Sequence, residues 1–218
     1  MYTRPHHGIT SELKKSPDRQ RARQFSGVGR RWIVQTPLVG GYRWKTKDLD
    51  RLPQEPFLSY EIIDGELIVS RKPHLRHAAI IGTLCAQVYP AVRAKGGVLL
   101  VEPGIVWSEE GEDNVAPDIA IVLPDRLHLA TGRALSGMPN IVMEVVSEGS
   151  VEIDYVKKRA LYARTGAQEY WIIDWLRQSI EVWTFVEQTA QVVTYATGQT
   201  ITTLLLPGVS ISIEDLLS

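Results

Sequence analysis

Two strand-like runs separated by one helical segment constrain the fold of this 218-residue chain more than any other feature. The runs IVMEVV (141–146) and EYWIID (169–174) have the apolar, β-branched and aromatic content that is typical of strands. Between them, SVEIDYVKKRALYARTG (150–166) has helical spacing, and Gly166 provides a stop signal. This order predicts two parallel strands joined by a right-handed crossover. The residues predicted on the inner face of the helix are Val156, Ala160, Leu161 and Ala163.

The rest of the sequence predicts antiparallel strands on both sides of this unit. YEIIDGELIVS (60–70) carries Asp64-Gly65 between two β-prone runs, which is a strong hairpin signal. A helix is predicted over about 74–95, where apolar residues recur at helical spacing before two glycines. The further predicted strands are VLLVEPGIVW (98–107), VAPDIAIVL (115–123), SIEVWTF (179–185), QVVTYAT (191–197) and TITTLLL (200–206). The predicted class is α/β, with a mixed central β-sheet flanked by helices and additional antiparallel strands at both ends.

Two carboxylates stand in consecutive predicted strands. Glu144 lies inside an apolar run, where a charge is unfavourable unless it is paired or binds a metal. Asp118 opens the preceding predicted strand, and consecutive strands usually neighbour each other. Adjacent carboxylates repel, and Mg²⁺ takes carboxylate oxygens as ligands, so the pattern indicates a divalent metal site. Two structural alternatives stay open: a backbone hydrogen bond for Asp118 and a salt bridge to a core-lining lysine or arginine for Glu144.

The helix that follows Glu144 carries a polar stripe. Asp154, Lys158 and Tyr162 recur at i, i+4 and i+8, so they share one helix face. One interpretation is a solvent-facing Asp–Lys pair beside a half-buried tyrosine. The other interpretation directs Lys158 toward the acidic site.

Charge and cysteine content bear on domains, partners and compartment. Residues 1–31 contain eight lysines and arginines against two acidic residues, which gives +6 there and −7 for the remainder. We predict a basic, disordered arm over 1–31 and a single domain over 32–218. The arm is either a solvated extension or a nonspecific phosphate-binding segment. The single cysteine, Cys85, and the lack of an apolar run of membrane-spanning length predict a cytoplasmic protein with no membrane partner.

Several segments together carry a resemblance to a known family. They are YEIIDGEL, VAPDIAIV, IVMEVVSEGS, DYVKKRALYARTGAQEYWIID and LPGVSISIEDLL, with His77 in the first predicted helix. Over about 46–217 this series resembles the Uma family of endonucleases, which belongs to the restriction-endonuclease-like, PD-(D/E)XK superfamily. The resemblance implies a restriction-endonuclease-like core.

The superfamily signature is an Asp on one strand and then Asp or Glu, any residue, and Lys on the next. The resemblance assigns these acids to Asp118 and Glu144, as catalytic residues and metal ligands. Val146 stands where the signature lysine is expected, which is a departure. Lys158 on the following helix matches the lysine of relatives, and Lys157 is the fallback, also expected to bind substrate.

The resemblance adds two residues from earlier in the chain. Glu61 in the hairpin is expected to be a further catalytic acid and metal ligand, and its alternative is a cross-strand ion pair. His77 is expected to bind substrate phosphate or to orient water, and its alternative is an exposed or helix-capping histidine.

The implied function is a Mg²⁺- or Mn²⁺-dependent endonuclease that hydrolyses DNA phosphodiester bonds by a metal-activated water. Its partner is nucleic acid, and the sequence leaves a homodimer open. An alternative of a different class is a non-catalytic nucleic-acid-binding or assembly module on a nuclease-like scaffold. A third class, an enzyme acting on another phosphoester, has little support, because the sequence has no Gly-rich phosphate loop, zinc-ligand spacing or nucleophile elbow.

Overall fold

The computed structural model of the chain describes residues 33–35, 41–71, 75–187 and 189–218. The predicted basic arm, 1–31, lies outside these residues. The helical elements described are a 3₁₀ segment Thr46–Arg51, helix α1 Leu75–Ala94, a 3₁₀ segment Pro124–Leu129, a π-helical segment Ile153–Lys158 that continues as helix α2 Arg159–Thr165, and helix α3 Ile213–Leu217. The strands described are β1 Ile33–Gln35, β2 Leu58–Ile63, β3 Glu66–Arg71, β4 Val98–Val101, β5 Ile105–Val106, β6 Asn114–Val115, β7 Ile119–Val122, β8 Ala130–Thr131, β9 Ala134–Leu135, β10 Ile141–Val145, β11 Glu169–Asp174, β12 Ser179–Val186, β13 Thr189–Ala196, β14 Thr200–Ile201 and β15 Ile211–Ser212.

The central sheet is built around the strand–helix–strand unit. Its strand order is β13-β12-β11-β10-β7-β4. Strands β10 and β11 are parallel, whereas the other neighbouring pairs of this sheet are antiparallel. The π-helical segment and α2 form the connection between the two parallel strands. The predicted mixed α/β class is therefore confirmed.

A second sheet, which we call the flanking sheet, is built on the hairpin β2–β3. Its order is β1-β3-β2-β6-β5-β9-β8. The predicted turn is present, with φ of 51° at Asp64 and 73° at Gly65, a pair of positive values that the twist of a two-residue hairpin loop requires. The chain passes from the flanking sheet to the central sheet between β6 and β7. Pro117 lies in this passage, so the predicted continuous strand 115–123 is divided in two.

Both faces of the central sheet are buried at its inner strands β7, β10 and β11. Side chains alternate across a strand, so odd-numbered and even-numbered residues of β7 and β10 face opposite sides. On one side Ile119 and Met143 pack against α1, and on the other side Val142 packs with Leu161 of α2 and with the flanking sheet. Glu144 belongs to the even-numbered set, so it faces α2 and the flanking sheet rather than α1.

The predicted inner face of the second long helical segment is wrong except at Leu161. Leu161 is fully buried, whereas Val156 is 54% exposed and Ala160 and Ala163 are also exposed. The inward positions are taken by an apolar–polar mixture that continues from the π-helical segment into α2: Ile153, Asp154, Lys158, Leu161 and Tyr162. Two polar members of this set, Lys158 and Tyr162, contact Glu144 of β10, which apolar spacing alone does not predict.

The strand predicted over 200–206 is shorter in the structure. The predicted strand 200–206 is limited to β14, because Leu204 is 94% exposed and the following residues turn toward Gly208. Among the residues that the structure describes, no helix combines the length and the hydrophobicity needed to cross a bilayer.

Candidate active site

Asp118 and Glu144 are neighbours across two antiparallel strands. The register pairs Met143 with Ile119, so the next pair along β7 and β10 is Glu144 with Asp118. The backbone N–H of Val145 donates a hydrogen bond to Asp118 Oδ2 at 2.7 Å. The predicted adjacency of the two acids is therefore present, and so is the backbone hydrogen bond that formed the structural alternative for Asp118.

Glu61 reaches the same place from the flanking sheet. Its Oε1 accepts a hydrogen bond from the backbone N–H of Ala116 at 2.9 Å, in the passage between the two sheets. The same oxygen lies 3.2 Å from Lys158 Nζ. Glu61 thus pairs with a helical lysine rather than across its own hairpin.

Lys158 and Tyr162 both contact Glu144. Lys158 Nζ lies 2.9 Å from Glu144 Oε1, and the Tyr162 hydroxyl donates to the same oxygen at 2.7 Å. These three residues are 5% exposed or less, so the interactions are shielded from water. The salt bridge foreseen as the structural alternative for Glu144 is therefore present, and its partner is the lysine predicted for the site.

One oxygen of each carboxylate is anchored by two donors. The anchored atoms are Glu61 Oε1, Asp118 Oδ2 and Glu144 Oε1. In the described part of the chain no hydrogen bond reaches the second oxygen of any of the three. Each acid is thus fixed by one oxygen and retains a second oxygen able to accept a further partner.

His77 lies beside Asp118, in the first turns of α1. Its Nε2 is 3.0 Å from Asp118 Oδ2, and the residue is 5% exposed. Its Nδ1 is buried and has no hydrogen-bond partner among the described residues. The alternative of an exposed or capping histidine is therefore wrong.

Lys157 takes a different direction from its neighbour. It forms an ion pair with Glu66 of β3 and is half-buried, whereas Lys158 is buried among the acids. The structure places Lys158, and not Lys157, against Glu144.

Sequence reasoning did not assign a role to Asp154 or to the Tyr162 hydroxyl. Asp154 is 3% exposed and lies one turn before Lys158 in the π-helical segment, a rare geometry that is frequent at functional sites. The i, i+4, i+8 spacing was the available signal, and the interpretation with a solvent-facing pair is wrong because all three residues are buried. We call the cluster of Glu61, Asp118, Glu144, Asp154 and Lys158 the acid centre.

Burial and mutual repulsion shift the ionisation of the acid centre. Burial raises the pKa of Glu144 well above its usual value; Lys158 opposes this effect, and Asp118, Asp154 and Glu61 add to it. Burial likewise raises the pKa of Asp154 to about 7, against the opposing effect of Lys158. Burial lowers the pKa of Lys158, but Glu144, Glu61 and Asp154 outweigh it and raise that pKa well above 10.5. The acid centre therefore holds one stable ammonium group, that of Lys158, and four carboxyl groups, which is more than this ammonium can neutralise.

A surface depression of about 480 Å³ lies elsewhere, lined by residues that include Trp107, His128 and Thr165. None of its lining residues belongs to the acid centre. We place the candidate site at the acid centre, because the buried ionisable groups converge there.

Comparison with known proteins identifies the family. A family model described as "Uma2: Putative restriction endonuclease" matches residues 46–214, which is most of the chain. The chain belongs to the Uma2 family. The resemblance predicted from the sequence is therefore confirmed, and membership of Uma2 supports a nuclease-type, hydrolytic function acting on nucleic acid.

One solved structure agrees with the Uma2 assignment at the level of fold. It is described as a putative nuclease belonging to DUF820 from Anabaena variabilis ATCC 29413. The two share 19% sequence identity with a TM-score of 0.65, over 80% of this chain and 97% of that chain. The restriction-endonuclease-like fold is therefore confirmed. No curated protein matches the chain.

Proposed function

We propose that this Uma2 chain is a divalent-metal-dependent endonuclease that hydrolyses DNA phosphodiester bonds by an activated water. The observation that carries the proposal is the convergence of Glu61, Asp118 and Glu144 from two different sheets, with Lys158 in contact with Glu61 and Glu144. Restriction-endonuclease-like families generally use divalent metals, which supports the same chemistry.

The acid centre fits a divalent cation in the chemistry of its donors. Four buried or half-buried carboxyl groups face one lysine and one histidine, and hard cations such as Mg²⁺ prefer carboxylate oxygens. As the side chains lie, no three acidic, histidine or cysteine residues of the described chain form a group that could hold an ion. Binding therefore requires some of these side chains to move closer together, and each of Glu61, Asp118 and Glu144 retains a second oxygen for the cation.

The roles follow from position. Asp118 and Glu144 would hold Mg²⁺ or Mn²⁺, with Glu61 as a third ligand. Such a cation, when bound, supplies polarisation of the phosphate and a lowered pKa of water. Lys158 keeps a positive charge next to the acids and would stabilise the negative charge that develops on the phosphate. His77 would use its unpaired Nδ1 to contact a phosphate oxygen or the attacking water.

Other parts of the proposal rest on the sequence and the family. DNA is the favoured substrate because the family is described as a restriction endonuclease. The basic residues of 1–31 are proposed to bind phosphates nonspecifically, outside the single domain 32–218. We also propose a cytoplasmic enzyme that cuts two strands as a homodimer.

Cleavage of a supercoiled plasmid tests the proposal. The wild-type chain is expected to cut in Mg²⁺ or Mn²⁺ and to stop in EDTA, and Asp118→Ala and Glu144→Ala are expected to abolish cleavage while retaining the fold. Glu66→Ala is the matched control, because Glu66 is an ion-paired acid that lies outside the acid centre, in the hairpin that carries Glu61. Single-stranded DNA and RNA substrates tested in parallel establish the substrate class.

Two results would overturn the proposal. Full metal-dependent cleavage by either variant would show that the acids are not the ligands. Failure of wild-type protein to bind Mn²⁺, in calorimetry and in a crystal inspected for anomalous density, would favour the non-catalytic module instead. The pairing of one oxygen of each acid with a basic or backbone group is the observation that keeps this second candidate open.

A further inference from the structure

The Tyr162 hydroxyl and the Lys158 ammonium share a single acceptor. Both contact Glu144 Oε1, at 2.7 Å and 2.9 Å. Lys158 Nζ also lies 3.2 Å from Glu61 Oε1, so this ammonium is shared between two carboxylates. Among the described residues, the Tyr162 hydroxyl donates to Glu144 and to no other acceptor, whereas Lys158 contacts two carboxylates.

The Tyr162 ring is itself held in a fixed orientation. It is fully buried and packs edge-on against Tyr170 of β11, with ring centroids 4.9 Å apart and an interplanar angle of 71°. The Tyr170 hydroxyl donates to the backbone carbonyl of Asp154 at 3.1 Å, which joins β11 to the π-helical segment. The Tyr162 hydroxyl that donates to Glu144 therefore extends from a ring that is packed between α2 and β11.

We propose that Tyr162 is a positioning residue: by binding Glu144 Oε1 it fixes the carboxylate so that Oε2 is the oxygen presented to a divalent cation. The inference rests on the proposed function. Without the hydroxyl, the carboxylate is held only by a lysine that also serves Glu61, and it gains freedom to rotate. Groups that orient a metal ligand typically influence metal affinity by about 10- to 100-fold.

The test compares two tyrosine variants that lose the same atom. Tyr162→Phe removes the hydroxyl on Glu144, whereas Tyr170→Phe removes a hydroxyl on a backbone carbonyl and keeps the ring that supports Tyr162. Mn²⁺ affinity is measured by calorimetry without nucleic acid, and thermal unfolding is measured in EDTA. We expect both variants to fold, Tyr162→Phe to weaken Mn²⁺ binding by about tenfold or more, and Tyr170→Phe to leave it unchanged.

A double-mutant cycle makes the test specific for Glu144. In a Glu144→Ala background, the Tyr162→Phe change is expected to have no additional effect on Mn²⁺ affinity, because Tyr162 acts through the missing carboxylate. Unchanged Mn²⁺ affinity in Tyr162→Phe, or an equal loss in Tyr170→Phe, would overturn the positioning role while the proposed function stands. Absence of Mn²⁺ binding in the wild-type protein would overturn both.

Discussion

Two of the ion pairs that join the same two elements of the molecule lie in opposite environments, one buried and one exposed to solvent. The helical segment that follows β10 contacts the β2–β3 hairpin through Lys158 and Glu61, which are nearly buried. Six residues later, Arg164 contacts Asp64 of the hairpin turn at 2.6 Å, and it also contacts Asp113 at 2.8 Å. We call Arg164, Asp64 and Asp113 the arginine clamp; the side chains of Arg164 and Asp64 are 38% and 67% exposed.

The exposed and the buried ion pair differ in their expected contribution to stability. Exposed ion pairs such as the arginine clamp typically contribute about 0–1 kcal/mol to stability. Buried charges carry a large desolvation penalty, and replacing a buried ion pair by apolar residues is often neutral or stabilising. Stability alone therefore does not account for an acid centre with surplus carboxyl groups, whereas the proposed cation-binding function would account for it.

The largest expected effect comes from removing the buried ammonium. Lys158→Met leaves Glu144 and Glu61 without their cation, and we expect a loss of about 3–5 kcal/mol in the free energy of unfolding. Urea unfolding in EDTA measures this loss. A loss no greater than that of Arg164→Met, the matched change in the arginine clamp, would contradict the expected difference between the buried and the exposed ion pair.

A smaller effect is expected from the pH dependence of Asp154. Its pKa in the folded protein is about 7 and its ordinary value is 3.8, so between these values the unfolded chain releases the proton first. The free energy of unfolding should therefore fall as pH rises from about 4 to about 7, by at most about 4 kcal/mol, and should level off above that pH.

The Asp154→Asn variant isolates this contribution. It should lack this part of the pH dependence, so its stability relative to wild type should increase between pH 5 and pH 7.5. Urea unfolding of both proteins in EDTA at the two pH values measures the difference. Parallel stability curves for the two proteins would exclude Asp154 as the titrating group.

The smallest effect is expected in the arginine clamp. Arg164→Gln should lower the free energy of unfolding by about 1 kcal/mol or less, because Arg164 and Asp64 are substantially solvated. The difference should shrink further in 1 M NaCl, since salt screens exposed charges. A large, salt-independent loss in urea unfolding would mean that the two bridges do not differ in kind.

The sequence predicted the framework of the site because local patterns specify it. The apolar, β-branched run around Glu144 identified a strand, and the crossover helix after it placed Lys158 within reach. The adjacency of Asp118 followed from the tendency of consecutive strands to pair. These features depend on local residue patterns and on the order of the elements along the chain.

What the sequence did not predict depends on contacts between distant segments. The hydrogen bond of Tyr162 to Glu144 and the burial of Asp154 arise only when the helix packs against the central sheet. The apolar pattern favoured Val156 as an inward residue, but the buried polar row displaced it. The division of the strand at Pro117 likewise depends on which sheet each half joins.

The passage of the chain at Ala116–Asp118 places the site at the junction of the two sheets. Glu61 belongs to the flanking sheet and Glu144 to the central sheet, while Ala116 donates a hydrogen bond to Glu61 and Asp118 accepts one from Val145 of the central sheet. The spacing of the three acids therefore depends on how the two sheets are placed relative to each other, and a substitution that shifts one sheet would change that spacing without altering any acidic side chain.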